Sequence, residues 1–272
     1  MFRRIRSILA VSTILLGVSF SAFGHEYWLE CDNFFLKVNE NTNIRLFVGE
    51  GLKKDEERQY QAAKTDSFQM FSGGESFDVR SLAEDGKSPV LKFGSDHSGT
   101  FLLSMERNWS YIKLDAAKFE DYLREDGMEY IIAERKRLGE SAKEGRERYS
   151  RYLKTLIQVG DSRTGSAKTR IGSRIEIVPL ENPYSKKVGD NLKLQVYFSG
   201  FPLAERAVFA DNRDGEQFST QKFTTDKDGR FNVRLTNKGV WLIRLVYMQR
   251  CTRNCGEADW ESFWGALSFG VK

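Results

Sequence analysis

The segment NLKLQVYF (191–198) sets Leu192, Leu194, Val196 and Phe198 two residues apart, with Lys193 and Gln195 between them. Side chains alternate faces along a strand, so this spacing gives one apolar and one polar face. RIEIVPL (174–180) repeats the pattern with Ile175 and Ile177. TTDKDGRFNVRL (224–235) turns at Asp228 and Gly229, then sets Phe231, Val233 and Leu235 on one face. GVWLIRLVYM (239–248) is apolar enough for a strand buried on both sides. Short strands at this spacing predict a C-terminal β-sandwich of the immunoglobulin or transthyretin kind over 170–272. Asp226 and Asp228 resemble part of a calcium loop, but a third ligand position and a closing Glu are missing, so the segment reads as a β-turn.

Residues 25–114 also alternate. NIRLFVGE (43–50) places Ile44, Leu46 and Val48 opposite Asn43, Arg45 and Phe47, and TFLLSMERNW (100–109) and SYIKL (110–114) are further strands. GEGLKKDEERQY (49–60) is charged and reads as a long loop or lid. Over 115–160 the period becomes helical. Asp115 is an N-cap, Phe119, Tyr122 and Leu123 share a face, and Gly127 stops the helix. A short helix carrying Ile131 and Ile132 follows. Tyr149, Tyr152, Leu153 and Leu156 then recur at i, i+3, i+4 and i+7, which predicts another amphipathic helix. The fold class is therefore mainly β: an N-terminal β-rich domain (25–114), a helical segment (115–160) and a C-terminal sandwich domain (170–272).

Residues 1–24 have the form of a secretory signal. Arg3, Arg4 and Arg6 precede an apolar run from Ile8 to Phe20, and Ala22 and Gly24 offer the small residues of a cleavage site. The run is too short for a membrane span. Cleavage after Gly24 predicts a periplasmic protein that begins at His25 and is not an integral membrane protein. The whole chain carries 42 Lys and Arg against 38 Asp and Glu. The signal holds three of the arginines and no acid, so 39 basic residues face 38 acidic ones and the remainder is +1. Nothing there is basic enough to serve nucleic acid as a partner. In an oxidising compartment Cys251 and Cys255, with three residues between them, favour a local disulfide and leave Cys31 over.

The chain has two histidines, His25 and His97. A histidine at the start of a chain offers its α-amine and its imidazole Nδ1 to one cation, and such nitrogen donors suit nickel, cobalt, copper and zinc. His97 is the second imidazole available to that site. Asp96 stands beside it to ligate or orient it, and Glu26 and Tyr247 are further donors. Two histidines leave most hydrolytic templates without their parts. Trp260, Phe263 and Trp264 in DWESFW read as core, and Asp259 and Glu261, two apart on a strand, share a face without an evident substrate pocket.

HEYWLE (25–30) resembles the His-acidic-aromatic-Trp start of the DUF4198 family, whose members are also described as periplasmic components of cobalt or nickel uptake. The long segment 118–161, IVPLENPYSKKVGD (177–190), TDKDGRF (225–231), GVWLIRLVYM and ADWESFWGALSF (258–269) are similar to the same family. The resemblance implies a divalent transition metal, nickel or cobalt with copper or zinc as further candidates, and a membrane metal transporter as partner. The family's last strand often reads Val-His-Met where this chain has Val246, Tyr247 and Met248, which removes one imidazole. The leading expectation is a non-enzymatic metal-binding protein accessory to nickel or cobalt uptake, with His25 and His97 as ligands. The alternative is a metal-independent binding or interaction module, and the remote alternative is a histidine-brace copper oxidase.

Overall fold

A computed structural model describes residues 25–272, so the expected signal segment lies outside the described residues. In chain order the strands are β1 (Glu26–Cys31), β2 (Phe35–Leu36), β3 (Asn41–Glu50), β4 (Lys53–Arg58), β5 (Thr65–Ser72), β6 (Glu75–Asp78), β7 (Leu91–Gly94) and β8 (Gly99–Leu114). Helices α1 (Ala116–Glu125) and α2 (Glu129–Arg137) follow. The remaining strands are β9 (Gly145–Val159), β10 (Ile175–Pro179), β11 (Asn191–Phe198), β12 (Phe201–Pro202), β13 (Ala207–Asp214), β14 (Gln217–Thr224), β15 (Arg230–Arg234), β16 (Gly239–Arg250) and β17 (Trp260–Val271).

A nine-stranded sheet in the order β14-β13-β16-β17-β9-β8-β5-β6, with β2 added to β9, is the central layer. Its middle pair, β17 and β9, is parallel, with Trp260 opposite Glu147 and Ser268 opposite Thr155. One face is covered by a four-stranded sheet, β1-β3-β4 with β7 on β3, through a core of Trp28, Leu29, Ile44 and Leu46 against Phe101, Leu103, Leu153 and Ile157. Farther along that face α1 and α2 pack Phe119, Leu123 and Met128 on Val246, Met248, Trp260 and Trp264. The other face is covered by β10-β11-β12 with β15 on β11, through Ile175, Ile177, Leu194 and Val196 against Leu156, Ile243, Leu245 and Leu267. The protein is thus mainly β and sandwich-like, as the alternation predicts.

Three expectations are corrected. The third amphipathic helix is strand β9. A strand covered on both faces carries large apolar and aromatic groups at odd and even positions alike, and such a run also satisfies helical spacing. The helical segment therefore ends at Arg137, and β8, β9 and β17 join one sheet across the boundaries drawn at 114 and 170. GEGLKKDEERQY is not a lid: it turns at Gly51 and Leu52 and forms β4, paired to β3. Its charges suit an edge strand, where they discourage pairing with another chain.

The helix signals around residues 115–132 hold. The Asp115 carboxylate accepts from Lys118 N at 2.9 Å, the N-cap bond that satisfies an otherwise unpaired helix donor. Gly127 takes the left-handed conformation that ends α1, with φ of 70°. The Asp226 segment is a turn whose carboxylate accepts from Asp228 N and Arg230 N.

Candidate functional site

Residues of the four-stranded sheet, the helices and the central sheet together line a pocket of about 540 Å³. The small sheet supplies His25, Tyr27, Val48, Asp55, Glu56 and Arg58. The helices supply Tyr122. The floor is one face of the central sheet: Glu147, Tyr149 and Arg151 from β9, at alternate positions, with Trp264 from β17 and Ile112 and Leu114 from β8.

His25 stands at the rim, half-buried, with Nδ1 at 2.9 Å from Asp55 Oδ2. Glu56 is beside it and pairs with Arg58 at 3.0 Å. Deeper in, the Arg151 guanidinium lies 4.0 Å from the Tyr27 ring centre, 4.6 Å from Tyr149 and 5.5 Å from Trp264, an aromatic surround for a cation. Trp264 stacks on Tyr122 at 6.0 Å and donates from Nε1 to Ser262 Oγ at 3.0 Å. Glu147 accepts from Tyr122 Oη at 3.1 Å and from Ser262 Oγ through its Oε1, while its Oε2 has no partner among the described residues. Burial pushes the Glu147 carboxyl up to about 7, against the pull of these two hydroxyls.

The two histidines do not share this pocket. His97 follows β7, at the end of the small sheet where Gly94 pairs with Asn41, whereas His25 precedes Glu26, which pairs with Gly49. Eight residues of β3 separate those two rungs, roughly 27 Å at strand rise. His97 is exposed, bonds Asp96 at 2.9 Å and lies in a separate open pocket of about 400 Å³ with Asn41, Ser95 and Phe101. Asp96 thus orients His97, but at a distance from His25 that rules out joint ligation in this fold.

The other sequence candidates are occupied elsewhere. Glu26 is buried, bonds Arg244 at 2.9 Å and accepts from Gly51 N at 2.8 Å. Desolvation raises its pKa to about 8. Tyr247 packs on Phe198 at 4.5 Å and on Tyr130. Asp259 and Glu261 do share a face, but each is neutralised by an arginine, Arg146 at 2.8 Å and Arg148 at 2.5 Å. Among the described residues no three His, Cys, Asp or Glu side chains converge as a metal cage. The pocket residues that sequence reading did not find, Glu147, Tyr149 and Arg151, alternate on β9 and were hidden by the helical reading of that strand.

A mainly β protein with a pocket between two covers of one central sheet is the class that fold and site define. The chain belongs to the DUF4198 family, a domain of unknown function, which matches residues 22–249. No curated protein matches. Among solved structures, a DUF4785 family protein from Legionella pneumophila matches at 8% identity and a TM-score of 0.22, over 79% of this chain and 50% of that one. This chain therefore spans half the length of that relative. The D00-D0 domain of intimin matches at 9% identity and a TM-score of 0.21, over 90% of this chain and 99% of that one. Among the described residues no helix is long and apolar enough to cross a membrane.

Proposed function

We infer that the protein is an exported, non-enzymatic transition-metal-binding protein accessory to nickel or cobalt uptake, with the metal at His25. The observation that carries the reading is the His25–Asp55 pair: a ring nitrogen and a carboxylate oxygen 2.9 Å apart, at the mouth of a pocket large enough for a small ligand. Donors at that separation fit one coordination sphere. Two side-chain donors alone bind weakly, so the α-amine that cleavage after Gly24 would create becomes the third. Nitrogen donors with one carboxylate suit nickel, cobalt, copper and zinc, and the metal supplies a bound cation for transfer to a transporter rather than a reaction centre.

The test is titration of Ni(II), Co(II), Cu(II) and Zn(II) into two forms of the protein, one starting at His25 and one with a single residue added before it. Binding of one equivalent that weakens at least tenfold in the extended form, and again in Asp55→Asn, supports the reading. Equal binding by both forms removes the amine from the site. A second reading, a metal-independent binding module, is favoured by the Arg151 surround, which suits an organic ligand without a metal. A melting temperature indifferent to every metal selects it, because a ligand bound only by the native state raises that temperature.

A further inference from the structure

A second cavity, of about 520 Å³, lies on the opposite face of the same strands. Along β9 the pleat sends Glu147, Tyr149 and Arg151 to the first pocket and Arg148 and Tyr152 to the second, and along β17 it sends Trp264 to the first and Glu261 and Phe263 to the second. The two are separated by the sheet itself. Its apolar wall is Phe263, buried, with Trp109 set edge-on at 5.6 Å, and Tyr152 beside them. Thr252 and Arg253, inside the loop closed by the Cys251–Cys255 disulfide, form the far rim, and Arg174 stands over Phe198 and Phe263.

The charges around this cavity are unequal. Arg148 is fully engaged: it bonds Glu261 at 2.5 and 3.1 Å and holds the loop by donating to Asn254 O at 2.5 Å and Arg253 O at 3.0 Å. Glu261 receives a further bond from Gln249 at 2.7 Å. That ion pair cancels itself and leaves Arg174 and Arg253. Among the described residues neither has an acidic partner, and both line the mouth over an aromatic wall. Guanidinium groups with free donors select carboxylates and other oxyanions, and an aromatic wall selects a flat apolar body.

We propose that this cavity, completed by the disulfide loop, is a second ligand site that binds a small organic carboxylate with a flat apolar body, its anionic end held by Arg174 and Arg253. The site is independent of His25 and of any metal.

The probe is 2-naphthoate, titrated by calorimetry and by tryptophan fluorescence into the oxidised chain starting at His25, alongside 2-naphthalenemethanol and inorganic phosphate. The expected result is one naphthoate site, at least tenfold tighter than either comparison compound and weakened by rising salt. Arg174→Ala with Arg253→Ala weakens naphthoate at least tenfold at an unchanged melting temperature, and the double lysine variant recovers part of the loss. Trp109→Phe loses the fluorescence response to naphthoate, which locates the ligand beside that ring. No naphthoate binding at millimolar concentration, equal binding by the double alanine variant, or equal binding of the alcohol or of phosphate overturns the proposal.

Discussion

Phe263 and Trp264 are consecutive in the chain and wall two different pockets, Trp264 the one beside His25 and Phe263 the one beside the Cys251–Cys255 loop. Their neighbours in the parallel register are Ser150 and Arg151, so the same division runs through β9. A one-residue slip between these strands would send every such side chain to the wrong face. Both pockets therefore depend on the pairing of β9 with β17, and substitutions that loosen that pairing disturb both at once.

Glu147 gives the first pocket a pH dependence. The folded chain keeps its proton to about 7 because burial disfavours the charge, whereas an ordinary Glu carboxyl titrates near 4.5. Between those values the folded state binds a proton that the unfolded state has lost. The resulting stabilisation is present in full below 4.5 and is lost as pH rises through 7, for a total of about 3 kcal/mol. Glu26, raised to about 8, and Asp126, raised to about 7, act in the same direction, so the comparison must be with Glu147→Gln. Urea unfolding at pH 5 and pH 8 is expected to show a smaller drop in Glu147→Gln than in the wild type. Equal drops would mean that Glu147 is ionised in the folded protein across this range.

Gly145 opens β9 where α1 crosses it. A Cβ at this position would fall within the Phe119 ring, which is fully buried. Overpacking of this kind costs about 1–3 kcal/mol. Gly145→Ala is expected to lower the melting temperature by several degrees, at about 2–4 °C per kcal/mol for a chain of this size. Because Tyr122 is one turn from Phe119, the same variant should also disturb the wall of the first pocket. A melting temperature within a degree of wild type would show that α1 can shift to make room.

Alternation made most strands readable, because Leu192, Leu194 and Val196, or Ile44 and Leu46, have one covered face and the pleat writes that into the sequence. The caps of α1 were readable for an equally local reason, a side chain bonding its own backbone. Strand β9 was not, because both of its faces are covered and its large residues fall at both parities. The charges of β4 suggested a loop because an edge strand tolerates them. His25 was identified as a candidate by its place after Gly24, but Asp55 reaches it through the pairing of β3 with both β1 and β4, which no local pattern encodes. His97 looked like a partner only because the chain has no third histidine.

The Cys251–Cys255 disulfide closes a loop of sequence separation 4. Loop-closure entropy for so short a ring gives about 2 kcal/mol. The loop has other anchors: Cys251 N donates to Asp259 O at 2.9 Å, Ala258 N to Cys255 O at 3.1 Å, and Arg148 bonds two of its carbonyls. The double variant Cys251→Ala with Cys255→Ala is therefore expected to fold, with an unfolding free energy lower by no more than about 2 kcal/mol in denaturant titration. Failure to fold would mean that the disulfide, rather than Arg148, sets the loop.

Lys154 and Glu176 make the most deeply buried ion pair joining the central sheet to its second cover, with Nζ at 2.6 Å from Oε1 and side-chain exposures of 5% and 1%. Desolvation lowers the Lys154 pKa, while Glu176 opposes that shift. Glu176 also accepts from Ile171 N at 2.7 Å and Gly172 N at 3.2 Å, and Lys154 donates to Ile177 O at 3.3 Å. Removing the cation leaves a carboxylate in a dry interface with two backbone donors as its remaining support. Lys154→Met alone is expected to cost about 3–5 kcal/mol, the usual effect of orphaning a buried charge. Lys154→Met with Glu176→Gln removes the orphaned charge and keeps one of the two backbone bonds, because the amide has a single acceptor oxygen where the carboxylate uses one for Ile171 N and the other for Gly172 N, so it should recover part of that loss. Chemical denaturation of the wild type, both single variants and the double variant closes the cycle. If the double variant is no more stable than Lys154→Met, the backbone donors already satisfy Glu176 and the lysine contributes packing rather than charge.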